Sequence, residues 1–231
     1  MPDYVLHIAN KTYSSGCLGP WLTMRQLEIP FEEHLIPLGA CGAVGSPVSH
    51  IPALRNRGAF VWGCLAVLEY LAEDHPGVWP DRRTARTWSR SAAAETHGGF
   101  RALQDDLPLI CGVRIDASPR PAALGDLGRI ERLWLEGLWN FGGPWLAGEA
   151  FSAVDACFAP VALLMQTYGV KLEPTAMAYS GRLLGLKPVQ DWYASALAEP
   201  WRDPVLEAKG RASGRWISDL RTEGERAHRA S

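Results

Sequence analysis

The β-forming runs of the chain come first and then stop, and that order leaves few folds open. Tyr4 to Ile8 is a short apolar run, Tyr-Val-Leu-His-Ile, suited to a buried strand. Asn10 to Gly16 is loop chemistry, and Trp21, Leu22, Met24 and Leu27 then recur at helical spacing behind Pro20, which suits a first helical turn near Leu18. Phe31 to Pro37 alternates charged and apolar residues as a half-buried strand does, and Gly39 to Ser49 is a small-residue loop. His50 to Leu54 and Ala59 to Trp62 flank the turn Arg55 to Gly58, which predicts an antiparallel hairpin. Leu65, Val67, Leu68 and Leu71 then give a helix from Cys64 its apolar face, and His75-Pro76-Gly77 closes it.

Past Trp79-Pro80 amphipathic stretches divided by Gly and Pro take over. The expectation is an α/β N-terminal domain over 1–80 and an all-α domain over 86–231, joined near 76–86. Helices are expected at about 83–107, 121–141, 152–168, 174–185 and 188–198. From about residue 214 the sequence reads as a loosely held polar tail.

With 47% apolar and 21% charged residues, the chain can bury a substantial core. A formal net charge of -2 provides no basic stripe for phosphate backbones, so nucleic acid is not an expected partner. Cysteines stand at 17, 41, 64, 111 and 157 without a C-x-x-C pair, so no metal site is expected and the thiols read as reduced. The start lacks a secretory pattern and no apolar run reaches a membrane span, which points to a cytoplasmic protein that does not engage membranes. The chain holds ten tryptophans, and Trp88, Trp134, Trp139, Trp145, Trp192 and Trp201 all lie beyond residue 80; most of the ten read as core or interface anchors.

Several motifs in order resemble the glutathione S-transferase family, in particular its serine-type bacterial and zeta-like members. Asn10-Lys-Thr-Tyr-Ser14-Ser15-Gly16-Cys17 is similar to that family's serine-bearing catalytic loop, and Ile51-Pro52 to its cis-proline dipeptide. Leu65-Ala66-Val67-Leu68-Glu69-Tyr70-Leu71 resembles the signature of the helix after the sheet. Ala94-Glu95-Thr96-His97-Gly98-Gly99-Phe100 and Phe151-Ser152-Ala153-Val154-Asp155 resemble two motifs of the helical half. The resemblance implies a thioredoxin-like domain followed by an all-helical one, glutathione as co-substrate, a small electrophile as second substrate, and a homodimer.

Glutathione becomes a nucleophile as its thiolate, so the site needs a donor for the sulfur anion. Ser14, by its register with the family's serine, is the preferred donor, with Ser15 and Cys17 as the other candidates at the opening of a helix that favours negative charge. Loop serines more commonly serve as turn residues or helix caps. By resemblance, the Ile51 backbone beside Pro52 pairs with the cysteinyl part of the ligand and His50 meets its glycyl carboxylate. At Gly63-Cys64 the chain departs from the family's acid-serine pair for the γ-glutamyl group, and at Gly19 from an arginine. Asp105 or Asp106 is a candidate replacement acid. His97 is assigned to the second-substrate pocket, while Glu95, two residues away, cannot share its helix face. Ser152 and Asp155 have the spacing of a capping box, a structural device.

Two functions fit these residues. The first is a glutathione-dependent transferase, isomerase or lyase acting on a small electrophile. The second is a relative that lost normal glutathione binding and handles another thiol or serves as a scaffold.

Overall fold

The structure, a computed structural model, describes residues 3–37 and 50–221. The expected loop 39–49 and Cys41 therefore lie outside the described residues. The first half forms β1 (Tyr4–Ile8), α1 (Ser15–Gln26), β2 (Phe31–Leu35), β3 (Ala53–Asn56), β4 (Ala59–Trp62) and α2 (Cys64–Asp74), in the order the sequence predicts. The strands lie side by side as β2-β1-β3-β4. β1 runs parallel to β2, pairing Leu6 with Glu33, and antiparallel to β3, pairing Leu6 with Leu54. That parallel pair needs a crossover, which α1 supplies. β1 is buried along nearly its whole length, as its unbroken apolar sequence requires of a strand with neighbours on both sides.

The helix α1 begins at Ser15, three residues before the expected start, so Pro20 lies inside it rather than in its first turn. Proline at this position removes the N–H that would bond the Gly16 carbonyl, and Gly16 is exposed, so that carbonyl reaches solvent.

The second half is helical apart from a two-stranded ribbon. It comprises α3 (Arg83–Gly98), α4 (Arg101–Asp106), β5 (Val113–Ala117), α5 (Pro121–Phe141), α6 (Ala153–Tyr168), α7 (Pro174–Leu184), α8 (Lys187–Ala198), α9 (Pro204–Ser213) and β6 (Gly214–Asp219). The single helix expected over 83–107 is broken at Gly99-Phe100, because turning the chain there brings Phe100 and Leu103 into the core. α6 is buried on nearly every side, the pattern of a helix at the centre of a bundle, and α1 packs against it. Trp134 and Trp192 are fully buried, whereas Trp139 and Trp201 are exposed and anchor no core.

The segment expected as a tail from 214 is instead structured as far as Arg221. β6 pairs antiparallel with β5, and the Arg221 guanidinium beyond it is almost wholly buried. It donates to Glu207 Oε1 at 2.6 Å, to Asp219 Oδ2 at 2.6 Å and to Tyr13 Oη at 3.3 Å. A polar composition misled the reading because the polar atoms here pair with one another. Replacing Arg221 with methionine, which leaves the Glu207 carboxylate without its cation, is expected to lower the unfolding free energy by about 3 kcal/mol in urea titration, where a loose tail would show no change.

Asp155 fixes the entry into α6. Its carboxylate accepts from Leu146 N at 3.0 Å, Ser152 N at 2.9 Å and Tyr179 Oη at 2.9 Å, which makes it both half of the capping box and an anchor for the preceding loop and α7. Burial pushes its carboxyl up to about 6 against the pull of these donors. A raised carboxyl binds its proton more tightly in the folded than in the unfolded chain, so the resulting stability is present at pH 4 and lost as pH rises through 6. The stability difference between the native protein and Asp155→Asn should therefore shrink by roughly 2–3 kcal/mol between pH 4 and 7 in denaturant titrations.

Candidate functional site

The loop joining β1 to α1 is held from the far end of the chain. The Glu199 carboxylate, buried at the end of α8, accepts from Lys11 N at 2.6 Å, Thr12 N at 3.1 Å and Thr12 Oγ1 at 2.8 Å. Trp192 Nε1 donates to Lys11 O at 3.1 Å, and Cys111 N donates to Thr12 O at 2.9 Å. The Lys11 ammonium pairs with Glu33 at 2.6 Å and lies over the Trp21 and Trp192 rings. Each buried backbone group of Lys11 and Thr12 thus meets a partner, as buried polar groups must.

Tyr13 comes next in the loop, and its hydroxyl is committed. It donates to Glu207 Oε1 at 2.7 Å and accepts from Asp203 N and Arg221. Burial and the Glu207 hydrogen bond push the phenol up, so it stays protonated. These contacts fix where α1 starts.

Above that start opens a cleft of about 350 Å³ between the two halves. Ser15, Gly16 and Gly19 of α1 and Cys64 of α2 line one side. His97, Leu103, Leu107, Val161 and Leu164 are among the residues lining the other, which is largely apolar. The serine on the cleft is Ser15, the exposed first residue of α1. Ser14, the residue favoured by register, is the half-buried N-cap of α1 and is not among the lining residues. Cys17 is buried, and its sulfur accepts from Ala9 N at 3.4 Å instead of lining the cleft.

The Ile51-Pro52 peptide bond is cis. Pro52 lies beside the first turn of α1, with its Cδ 3.9 Å from where a β-carbon on Gly16 would sit. His50 stacks on Trp62, with ring centroids 5.8 Å apart, and neither it nor Ile51 lines the cleft. Gly63 is the N-cap of α2 with φ +87°, a left-handed conformation that glycine adopts without steric cost. Its N–H donates to Pro52 O at 2.9 Å.

His97 reaches the cleft, its Nδ1 within 3.0 Å of Thr96 Oγ1 and 3.2 Å of Ala93 O. Glu95 faces elsewhere and pairs with Arg129 of α5. The two candidate replacement acids are engaged away from the cleft: Asp105 approaches Lys209 at 3.8 Å, and Asp106 accepts from Arg120 N and Nε. Among the described residues no group of three or more His, Cys, Asp or Glu is placed to hold a metal ion.

Three residues of the site were missed in the sequence. Glu199 carries no motif, since a carboxylate at a helix end before proline reads as solvated. Arg221 was hidden in the supposed tail. Cys157 approaches Cys64 only after α6 packs against α1, which spacing does not reveal.

Gly19 shows how closely those helices meet. A β-carbon there would sit 2.8 Å from Cys64 Sγ, so a side chain at this position would have to displace that sulfur, and 4.0 Å from Cys157 Cα. Contact with the Cys157 thiol, and burial after it, hold the Cys64 thiol well above the ordinary cysteine range.

The fold, a four-stranded mixed sheet with helices followed by a helical bundle, has counterparts among solved structures. A glutathione transferase homologue from Burkholderia gl BGR1, crystallised with bound glutathione, superposes with a TM-score of 0.65 at 18% identity over 84% of this chain and 97% of its own. The chain has the glutathione-transferase fold. The Tau class glutathione S-transferase of mango, Mangifera indica, matches this fold with a TM-score of 0.64 at 19% identity over 91% of this chain and 96% of its own. Human glutathione-S-transferase T1-1 in its apo form gives 0.62 at 20% identity over 92% of this chain and 100% of its own. No protein-family model and no curated protein matches the chain.

Proposed function

We propose that the protein is a glutathione-dependent transferase that sets the glutathione sulfur over the first turn of α1 and delivers it to a small, largely apolar electrophile in the cleft. The observation that carries this reading is Ser15, exposed as the first residue of α1 and lining the cleft. There the positive end of the α1 dipole and a serine side chain both favour an anionic sulfur. The cis Ile51-Pro52 unit beside that turn supports backbone pairing with the cysteinyl part of the ligand. The Burkholderia relative in fold, crystallised with glutathione, supports the same ligand. His97 and the leucines opposite suit the second substrate.

The fit is uneven along the tripeptide. Gly63 offers no carboxylate for the γ-glutamyl ammonium, and the Cys64 thiol is buried toward Cys157. Losing a hydrogen bond to a charged group costs about 1.5–3 kcal/mol, so affinity is expected to be roughly ten- to a hundredfold below that of a site with the acid present. The reading extends to a homodimer working in the cytoplasm, with the chain divided into a glutathione-binding part up to about residue 80 and a second-substrate part from about 86.

Titration of the protein with glutathione, following heat and the ultraviolet absorbance of the thiolate, tests the proposal. The native protein and Ser14→Ala are expected to bind and ionise the thiol, while Ser15→Ala loses about tenfold or more of the thiolate-forming equilibrium. Equal thiolate formation by native protein and Ser15→Ala, or none by the native protein at saturation, overturns it.

A further inference from the structure

The sulfur atoms at the floor of the cleft are not used by that chemistry. Cys64 opens α2 and Cys157 lies on α6, on opposite sides of the junction between the sheet and the bundle. Both line the same cleft. The space left by the missing side chain of Gly19 lies 2.8 Å from Cys64 Sγ and 4.0 Å from Cys157 Cα, and the Cys157 thiol is the leading influence that pushes the Cys64 thiol up. Both are reduced. The Cys17 sulfur accepts from the Ala9 amide, and Cys17 is not among the residues lining the cleft.

Two neighbouring cysteines that line one cavity sized for a small molecule have the arrangement that thiol–disulfide exchange requires: a sulfur to attack and a second sulfur near it to resolve. We propose that Cys64 and Cys157 are a redox pair that reduces a small-molecule disulfide bound in the cleft, becoming in turn a disulfide that joins α2 to α6. In the first step one cysteine attacks a sulfur of the bound disulfide as its thiolate. The mixed disulfide forms, the substrate's S–S bond breaks, and half of the substrate leaves and takes up a proton. In the second step the other cysteine attacks the sulfur of the first, and the remaining half leaves as a thiol. Two electrons pass from the cysteine pair to the substrate, and the two thiol protons end on the two released thiols.

The pair does not rest on glutathione being the co-substrate, because any disulfide whose halves enter the cleft satisfies the chemistry. Cys64 faces Cys17 from α1 and Cys157 from α6, and His97 of α3 stands on the cleft wall. Contact with Cys157 and burial keep the Cys64 thiol protonated near neutrality, so exchange is slow there and quickens as the pH rises.

The test exposes the full-length protein to hydroxyethyl disulfide and, separately, to glutathione disulfide at mildly alkaline pH, followed by intact mass and peptide mapping. The expected product has lost the two thiol hydrogens, carries a Cys64–Cys157 cross-link and has released both halves of the probe as thiol. Cys157→Ser is expected to stop at a stable mixed disulfide on Cys64, and Cys157→Ala gives the same readout should serine disturb α6. Closure by hydroxyethyl disulfide alone upholds the pair while counting against glutathione as the ligand of the cleft. The proposal is overturned if both cysteines of the treated native protein alkylate as fully as in the untreated protein, or if the cross-link joins Cys64 to Cys17 or Cys41.

Discussion

The carboxylate of Glu199 closes the clasp on which the rest of the molecule depends. It is buried, and it grips the backbone of Lys11 and Thr12 from nearly the opposite end of the sequence. A buried carboxylate is tolerated only when donors replace its water, and here two amides and the Thr12 hydroxyl do so. Each of those amides, if orphaned, would cost about 1–3 kcal/mol, so the interaction is strong because the alternatives on both sides are poor. Tyr13 is then locked to Glu207 and Arg221, α1 begins at Ser15, and Ser15 comes to line the cleft. The chemistry proposed for Ser15 is thus positioned by residues of α8, α9 and the segment after β6.

The departures at Gly19, Gly63 and Cys64 make sense as one set. With no side chain on Gly19, α1 approaches α6 closely enough for Cys64 to occupy the space between them and reach Cys157. Gly63, at φ +87°, turns the chain into α2 so that Cys64 is its first residue. An arginine at 19 would fill the space that Cys64 occupies. Cys64, which with Gly63 leaves the proposed γ-glutamyl subsite without an acid, thus also belongs to the proposed sulfur pair.

The architecture of the first half was readable because strand alternation, the hairpin and the apolar helix face are local signals, and the elements appear in the expected order, although α1 opens three residues early and β3 runs over Ala53–Asn56 rather than His50 to Leu54. The cis Ile51-Pro52 bond followed from resemblance and not from any property of the dipeptide. β5 has a local signal in the alternation of Val113-Arg-Ile-Asp-Ala, and so has α9 in Asp203-Pro204, where the N-cap carboxylate accepts from Val205 N and Leu206 N. The choice between Ser14 and Ser15 was not legible. It turns on where α1 begins, and that is set by contacts with residues nearly two hundred positions away. Arg221 and Cys157 were hidden for the same reason: their partners come from other elements, and composition records neither.

Amide hydrogen exchange at Lys11 and Thr12, in the native protein and in Glu199→Gln, measures the clasp itself. Glutamine keeps the shape but sets an NH₂ group against a donor. The account predicts that both amides exchange as slowly as those of β1 in the native protein and far faster in the variant, while α2 keeps its protection. Fast exchange at Thr12 in the native protein, or unchanged exchange in the variant, would contradict it.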